Sequence, residues 1–189
     1  MNETDEQIVK KVISGDLDAY GVLVDRYTLK LKRYAQRFLF DFDDREDLVQ
    51  EVFLKSYVNL QGFDSGRKFS PWIYRIAHNE FVNALKRRER IPVILPDPEI
   101  VFPNLIAPET ANDWSEKNEA RAFIDKVVTT LEAKYREILI LYYFEDLSYG
   151  EISDVLHIPI STVGVRLNRG RVAVKKTIAR LYPNYIYEE

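Results

Sequence analysis

Apolar side chains recur every three to four residues along most of this chain, and that spacing predicts helices rather than strands. Ile8, Val9, Val12 and Ile13 form a short stripe behind Thr4-Asp5-Glu6-Gln7, which has capping-box spacing. A longer stripe follows through Leu17, Tyr20, Leu23, Val24, Tyr27 and Leu31, with Asp16 placed to cap it. A third helix opens at Asp43 or Asp44 and runs through Leu48, Val52, Phe53 and Tyr57 to about Leu60. Glu46 and Asp47 fall in its first turn, where carboxylates suit the positive helix end. Gln61 to Gly66 reads as a loop. Ser70-Pro71 then reads as a cap and a first-turn proline, opening a helix to about Arg90 with Trp72, Ile73, Ile76, Phe81 and Val82 on its core side.

The pattern stops at Ile91. Residues 91–117 contain Pro92, Pro96, Pro98, Pro103 and Pro108, a density that prevents regular helix and favours extended backbone. Five acids (Asp97, Glu99, Glu109, Asp113, Glu116) accompany one base, Lys117. Ile94, Leu95, Val101, Phe102, Leu105 and Ile106 are more apolar than an idle spacer requires, so parts of this linker are expected in a groove. Helical spacing resumes with Phe123, Ile124, Val127, Val128 and Leu131. Ile138 to Phe144 is apolar throughout and predicts a helix buried on nearly all sides. Ser148-Tyr149-Gly150-Glu151 is a second capping box, and Ser161 can cap the helix after it. The expected fold is all-α, with helical domains over residues 1–90 and 118–189 joined by the proline-rich linker at 91–117.

Composition narrows the function classes. Among 189 residues, 46% are hydrophobic and 30% charged, as in a soluble globular protein. The net charge of -3 gives no general attraction for nucleic acid, so any such contact must be a local patch. Zero cysteines exclude disulfides and cysteine-ligated metal, and no apolar run approaches the roughly 20 residues of a membrane span. The polar, acidic start MNETDEQIVKK is no secretory signal, so a cytoplasmic location is expected. His78 and His157 fall in different domains, and neither a glycine-rich phosphate loop nor a nucleophile–base pair can be located. No enzyme, cofactor, metal or small-molecule substrate is expected.

One local patch stands out. From Ser148 the chain carries Glu151 and Asp154 without a base; then Ile160 to Arg180 carries Arg166, Arg169, Arg171, Lys175, Lys176 and Arg180 without an acid. The break His157-Ile158-Pro159-Ile160 separates the two halves, as in a helix-turn-helix whose second helix meets phosphates and base edges. Val163, Leu167 and Val174 have core spacing, which leaves Ser161, Thr162, Gly164, Val165, Asn168, Arg169 and Arg171 facing a groove. Ser161 and Thr162 at the helix start suit phosphate, Arg169 can bond guanine bidentately, and Asn168 can pair with adenine. Arg166 either joins this set or forms an ion pair with an acid such as Glu151. The other basic cluster, Lys86, Arg87, Arg88 and Arg90, is either a solvated helix end or a phosphate grip.

Three segments, in this order, resemble the extracytoplasmic-function type of bacterial RNA polymerase sigma factor. They are Asp44 to Phe53, DREDLVQEVF; Phe69 to Asn79, FSPWIYRIAHN; and Leu147 to Ile152 with Thr162 to Leu167 and Arg169-Gly170-Arg171. The resemblance implies that domain 1–90 is a region 2 helical bundle and domain 118–189 a region 4 helix-turn-helix. It implies that Asp47, Gln50, Glu51, Phe53 and Leu54 dock on the clamp of the polymerase's largest subunit. A metal there is disfavoured, because a helix start fans its carboxylates outward. It further implies that Asn79 holds a base flipped from melted minus-10 DNA, a step costing a few kcal/mol that a pocket must offset. The loop from Gln61 to Lys68 would form that pocket, with Phe63 able to stack or merely to anchor the loop. Lys68, Arg75, Lys86 and Arg87 join the minus-10 set, and the basic helix reads the minus-35 element. Core polymerase (clamp and flap), promoter DNA and an anti-sigma protein are the implied partners.

Three residues depart from the family pattern. Gly164 stands where a basic or polar residue is usual: either backbone approaches DNA closely there or a base contact is lost. It costs helix stability of about 1 kcal/mol relative to Ala. His157 stands where the turn usually has glycine, which requires a left-handed backbone, and Ser153 replaces a typical alanine. Two other classes stay open on the residues alone: a free-standing helix-turn-helix regulator, which would dimerise across two half-sites, and an interaction protein whose helices mainly engage another protein. The aromatic tail Tyr182 to Tyr187 has no assigned role.

Overall fold

A computed structural model describes residues 3–36, 42–89, 127–128 and 130–181, with backbone alone at 42–44, 88–89 and 181. The linker, Arg90, Phe123, Ile124 and the aromatic tail lie outside the described residues. Within them are seven α-helices, one 3-10 turn and no strand. They are α1 (Asp5–Ile13), α2 (Ala19–Gln36), α3 (Phe42–Asn59), a 3-10 turn (Leu60–Gly62), α4 (Phe69–Glu89), α5 (Ala133–Tyr143), α6 (Tyr149–Leu156) and α7 (Ile160–Leu181).

Local chemistry sets these ends. Thr4 and Gln7 close the expected capping box on α1, and Asp16 accepts from the Ala19 N–H at the start of α2. Ser148 and Glu151 close the second box, on α6. Two expected caps fall elsewhere. Phe69 already belongs to α4, and its N–H donates to the Glu6 carboxylate of α1 at 3.0 Å, so Ser70 lies inside the first turn. Pro159, lacking an N–H of its own, has the carbonyl that accepts from Thr162 and Val163 at the start of α7, which puts Ser161 inside that helix. His157 does take the left-handed conformation, at φ 52° and ψ 44°, and ends α6 without a glycine.

In the amino-terminal bundle α2 lies between α1 and α3, and α4 covers α3. Its core is aromatic: Tyr27 meets both Phe69 and Tyr74 edge to face, as Tyr34 meets Tyr74, and each such pair adds about 0.5–1.5 kcal/mol beyond its burial. Burying a phenol requires a partner for its hydroxyl, and Tyr27 donates to Asp5 at 2.5 Å. In the second module α5 packs along α7. Gly170 allows that approach, since a Cβ there would stand 3.1 Å from Leu139 Cδ1 and 3.2 Å from its Cγ. Ile138 to Leu141 are buried as expected, but Tyr143 is 50% exposed and Tyr142 half-buried, so the end of α5 turns its rings outward.

The two modules meet along a polar seam. Tyr34 donates to Glu137 at 2.6 Å, and His78 lies 2.7 Å from the same oxygen. Tyr74 donates to Glu145, and Lys68 pairs with Glu151 at 3.0 Å. Burial and the adjacent carboxylates hold both phenols far above their usual range. Burial also raises the Glu145 carboxyl, against the opposing pull of the Tyr74 hydrogen bond, Lys30 and Arg33.

Candidate nucleic-acid interface

The basic helix α7 exposes the row that its spacing predicted. Val163 and Leu167 are wholly buried against α5 and α6, and Val174 is half-buried. Ser161, Val165, Asn168, Arg169 and Arg171 are exposed; Thr162, Gly164 and Arg166 are half-buried on the flanks. Val165 is 50% exposed, an apolar side chain in a polar row and of a kind suited to a thymine methyl. Glu151 does not resolve the Arg166 alternative in favour of a pair. Its oxygens take the Ser148 N–H and hydroxyl and the Lys68 ammonium. Burial pushes the Glu151 carboxyl up, yet those three partners together bring it below the usual range.

Beside this row stands an aromatic group that sequence periodicity missed. The Arg171 Nε–H donates to the Tyr143 hydroxyl at 2.8 Å. The guanidinium centre lies 5.7 Å from the Tyr143 ring centroid and 5.8 Å from that of Tyr142. Tyr142 in turn meets Tyr143 and Tyr149 edge to face. The doublet Tyr142-Tyr143 at the end of an apolar run was the available signal, and the expectation of burial on nearly all sides concealed it.

On α4, Arg75, Asn79 and Lys86 are exposed along one stripe at i, i+4 and i+11, and Arg87 is exposed beside it. Ile73, Ala77 and Phe81 hold the opposite face in the core. Lys68 is 72% exposed at the mouth of the preceding loop. Phe63 differs from its candidate role. Its ring is 7% exposed and packs edge to face on Phe69 and Trp72, so it anchors the loop and offers no face to a base.

On α3, Asp47, Gln50, Glu51 and Leu54 are exposed together, while Val49 and Val52 face the core. Phe53 departs from the docking set: it is 9% exposed, and its carbonyl accepts from Tyr20 and Ser56, so it belongs to the bundle. Val58 is 76% exposed one turn beyond Leu54 and extends the apolar centre of this face. No helix among the described residues is long and apolar enough to cross a membrane.

Comparison with known proteins gives this arrangement a family. The profile for Sigma-70 region 2 matches residues 23–91 and that for Sigma-70, region 4 matches residues 124–174. The chain is 34% identical to the ECF RNA polymerase sigma factor SigW of Bacillus subtilis, over 92% of this chain and 96% of that protein. It is 32% identical to the RNA polymerase sigma-H factor of Pseudomonas aeruginosa (95% and 96% covered) and 30% identical to the ECF sigma-E factor of Escherichia coli (94% and 96%). Among solved structures, CnrH in complex with the cytosolic domain of CnrY aligns with a TM-score of 0.68 at 21% identity, covering 94% of this chain and 99% of that one. The sigma factor RpoE of Bartonella quintana, in complex with the anti-sigma factor NepR, aligns at 0.64 and 21%, covering 84% and 96%. At that identity these two support the fold alone, but the sequence relatives go further: the chain belongs to the sigma-70 family of RNA polymerase sigma factors, in its extracytoplasmic-function branch.

Proposed function

We propose that this alternative sigma factor, a cytoplasmic protein, joins core RNA polymerase and selects promoters through two surfaces of different chemistry. The observation that carries the reading is the division of exposed residues among three helices. One is an acidic face with an apolar centre on α3, another a carboxamide-and-base stripe on α4, and the third the basic row on α7. The α3 face, Asp47, Gln50, Glu51 and Leu54, docks on the clamp of the largest subunit. Domain 1–90 captures melted minus-10 DNA, with Asn79 holding a base edge and Lys68, Arg75, Lys86 and Arg87 gripping phosphates. Domain 118–189 reads the minus-35 duplex with Asn168, Arg169 and Val165, while Ser161, Thr162 and Arg171 meet phosphates. The linker at 91–117 connects them through the polymerase, whose flap carries the second domain.

The physical argument is one of affinity. Each reading surface is small, and a few phosphate contacts bind weakly and in a salt-sensitive way. Holding both on one polymerase makes the second contact intramolecular, which multiplies affinity and fixes the distance between elements. The chain supplies no catalysis; that belongs to the polymerase. An anti-sigma protein is a fitting further partner, since a solved relative of the same fold is held in such a complex. Run-off transcription from genomic DNA by core polymerase, with and without the chain, tests the reading. New start sites that depend on the chain are expected, and identical start sites in both reactions would refute it.

A further inference from the structure

We infer that Tyr143 is a positioning residue that, beside Tyr142, holds Arg171 in the shape in which it grips a minus-35 phosphate. The inference rests on α7 being the minus-35 reader. Arg171 lies on a stripe with half-buried Gly164 and exposed Asn168 and Lys175, at spacings of four, three and four residues. An exposed arginine is ordinarily free to rotate about several bonds, and ordering it on DNA costs affinity. Here that freedom is already restricted. Its Nε–H is committed to the Tyr143 hydroxyl at 2.8 Å, and its charged plane lies beside the rings of Tyr143 and Tyr142.

The commitment of Nε–H is chemically selective. A guanidinium carries five N–H donors, and occupying the one on Nε leaves the four on the two terminal nitrogens, the fork that matches a phosphate. The rings are themselves fixed, because Tyr142 meets both Tyr143 and Tyr149 edge to face. A Cβ at Gly164 would meet only Tyr149, at 3.6 Å, an ordinary contact. The helix flank is thus open where the ring lies. Two tyrosines at the end of α5, braced by Tyr149 at the start of α6, orient one arginine of α7.

The test is a double-mutant cycle in the reconstituted holoenzyme, on a promoter fragment recovered by run-off transcription, across a range of salt. Arg171→Ala should weaken binding and reduce the slope of log affinity against log salt by about 0.9, the signature of one lost phosphate contact. Tyr143→Phe keeps ring and charge, so it should leave the slope and the melting temperature unchanged while weakening binding about three- to tenfold. Added to Arg171→Ala, it should weaken binding no further. Wild-type binding by Tyr143→Phe, or losses that multiply in the double variant, would overturn the inference. So would an inert Arg171→Ala; if Arg169→Ala then still lost minus-35 discrimination, the positioning role would fail while the reading helix stood.

Discussion

Two glycines on α7 occupy opposite steric situations, and substituting each by alanine separates helix propensity from packing. In a helix interior the change from Gly to Ala is worth about 1 kcal/mol of stability. At Gly164 the new methyl meets only Tyr149 Cε2, at 3.6 Å, an ordinary contact. Gly164→Ala should therefore realise nearly the whole gain and raise the melting temperature of this module by about 4–8 °C. At Gly170 the methyl would stand 3.1 Å from Leu139 Cδ1 and 3.2 Å from Cγ. Cγ is the branch point of a side chain 4% exposed, so it has nowhere to withdraw. Overfilling a close-packed contact costs about 1–3 kcal/mol, which leaves Gly170→Ala between neutral and about 2 kcal/mol less stable than the parent. Thermal melting of the three proteins in one buffer, followed by circular dichroism at 222 nm, measures the difference. If Gly170→Ala gains as much as Gly164→Ala, the close approach of α5 and α7 is not the reason for that glycine.

Other substitutions probe separate parts of the molecule. His157→Gly relieves a left-handed residue that carries a Cβ, and should stabilise by about 1 kcal/mol, read as a raised denaturation midpoint; a lowered midpoint would mean the imidazole contributes more than its backbone costs. Asn79→Ala should impair promoter opening while sparing duplex binding by α7; a normal permanganate footprint in that variant would remove the base-holding role. Asp47→Ala combined with Gln50→Ala, both exposed and outside the core, should lower affinity for core polymerase without altering stability, and unchanged co-purification would count against the α3 face.

Helix existence and sidedness were legible in the sequence because they are local. The capping boxes at Thr4 and Ser148, the cap at Asp16 and the left-handed turn at His157 each follow from a few neighbouring residues. Phe53 and Phe63 show where local reading ends. Both lie in segments with an exposed face, and only the packed structure shows that both side chains are buried, Phe63 against the Phe69–Trp72 pair. The tyrosine group around Arg171 and the carboxylates opposite Tyr34 and Tyr74 were illegible for a different reason. Their partners stand 28, 103 and 71 residues apart, and no periodicity carries a signal over that distance.

The seam between the modules sets a mechanical condition on promoter engagement. Elements named for positions ten and thirty-five are centred about 25 base pairs apart, or about 85 Å along B-form DNA at 3.4 Å per pair. In this structure α4 touches α6, and Tyr74 and Lys68 of the first reader are bonded to Glu145 and Glu151 beside the second. The two reading helices, of 21 and 22 residues, are each only about 30 Å long, so with the seam closed the jackknifed molecule falls short of that length. It must unclasp before both readers reach their sites; the buried Tyr74–Glu145 bond opposes that opening by about 1.5–3 kcal/mol net of water, and the exposed Lys68–Glu151 pair by less than about 1 kcal/mol.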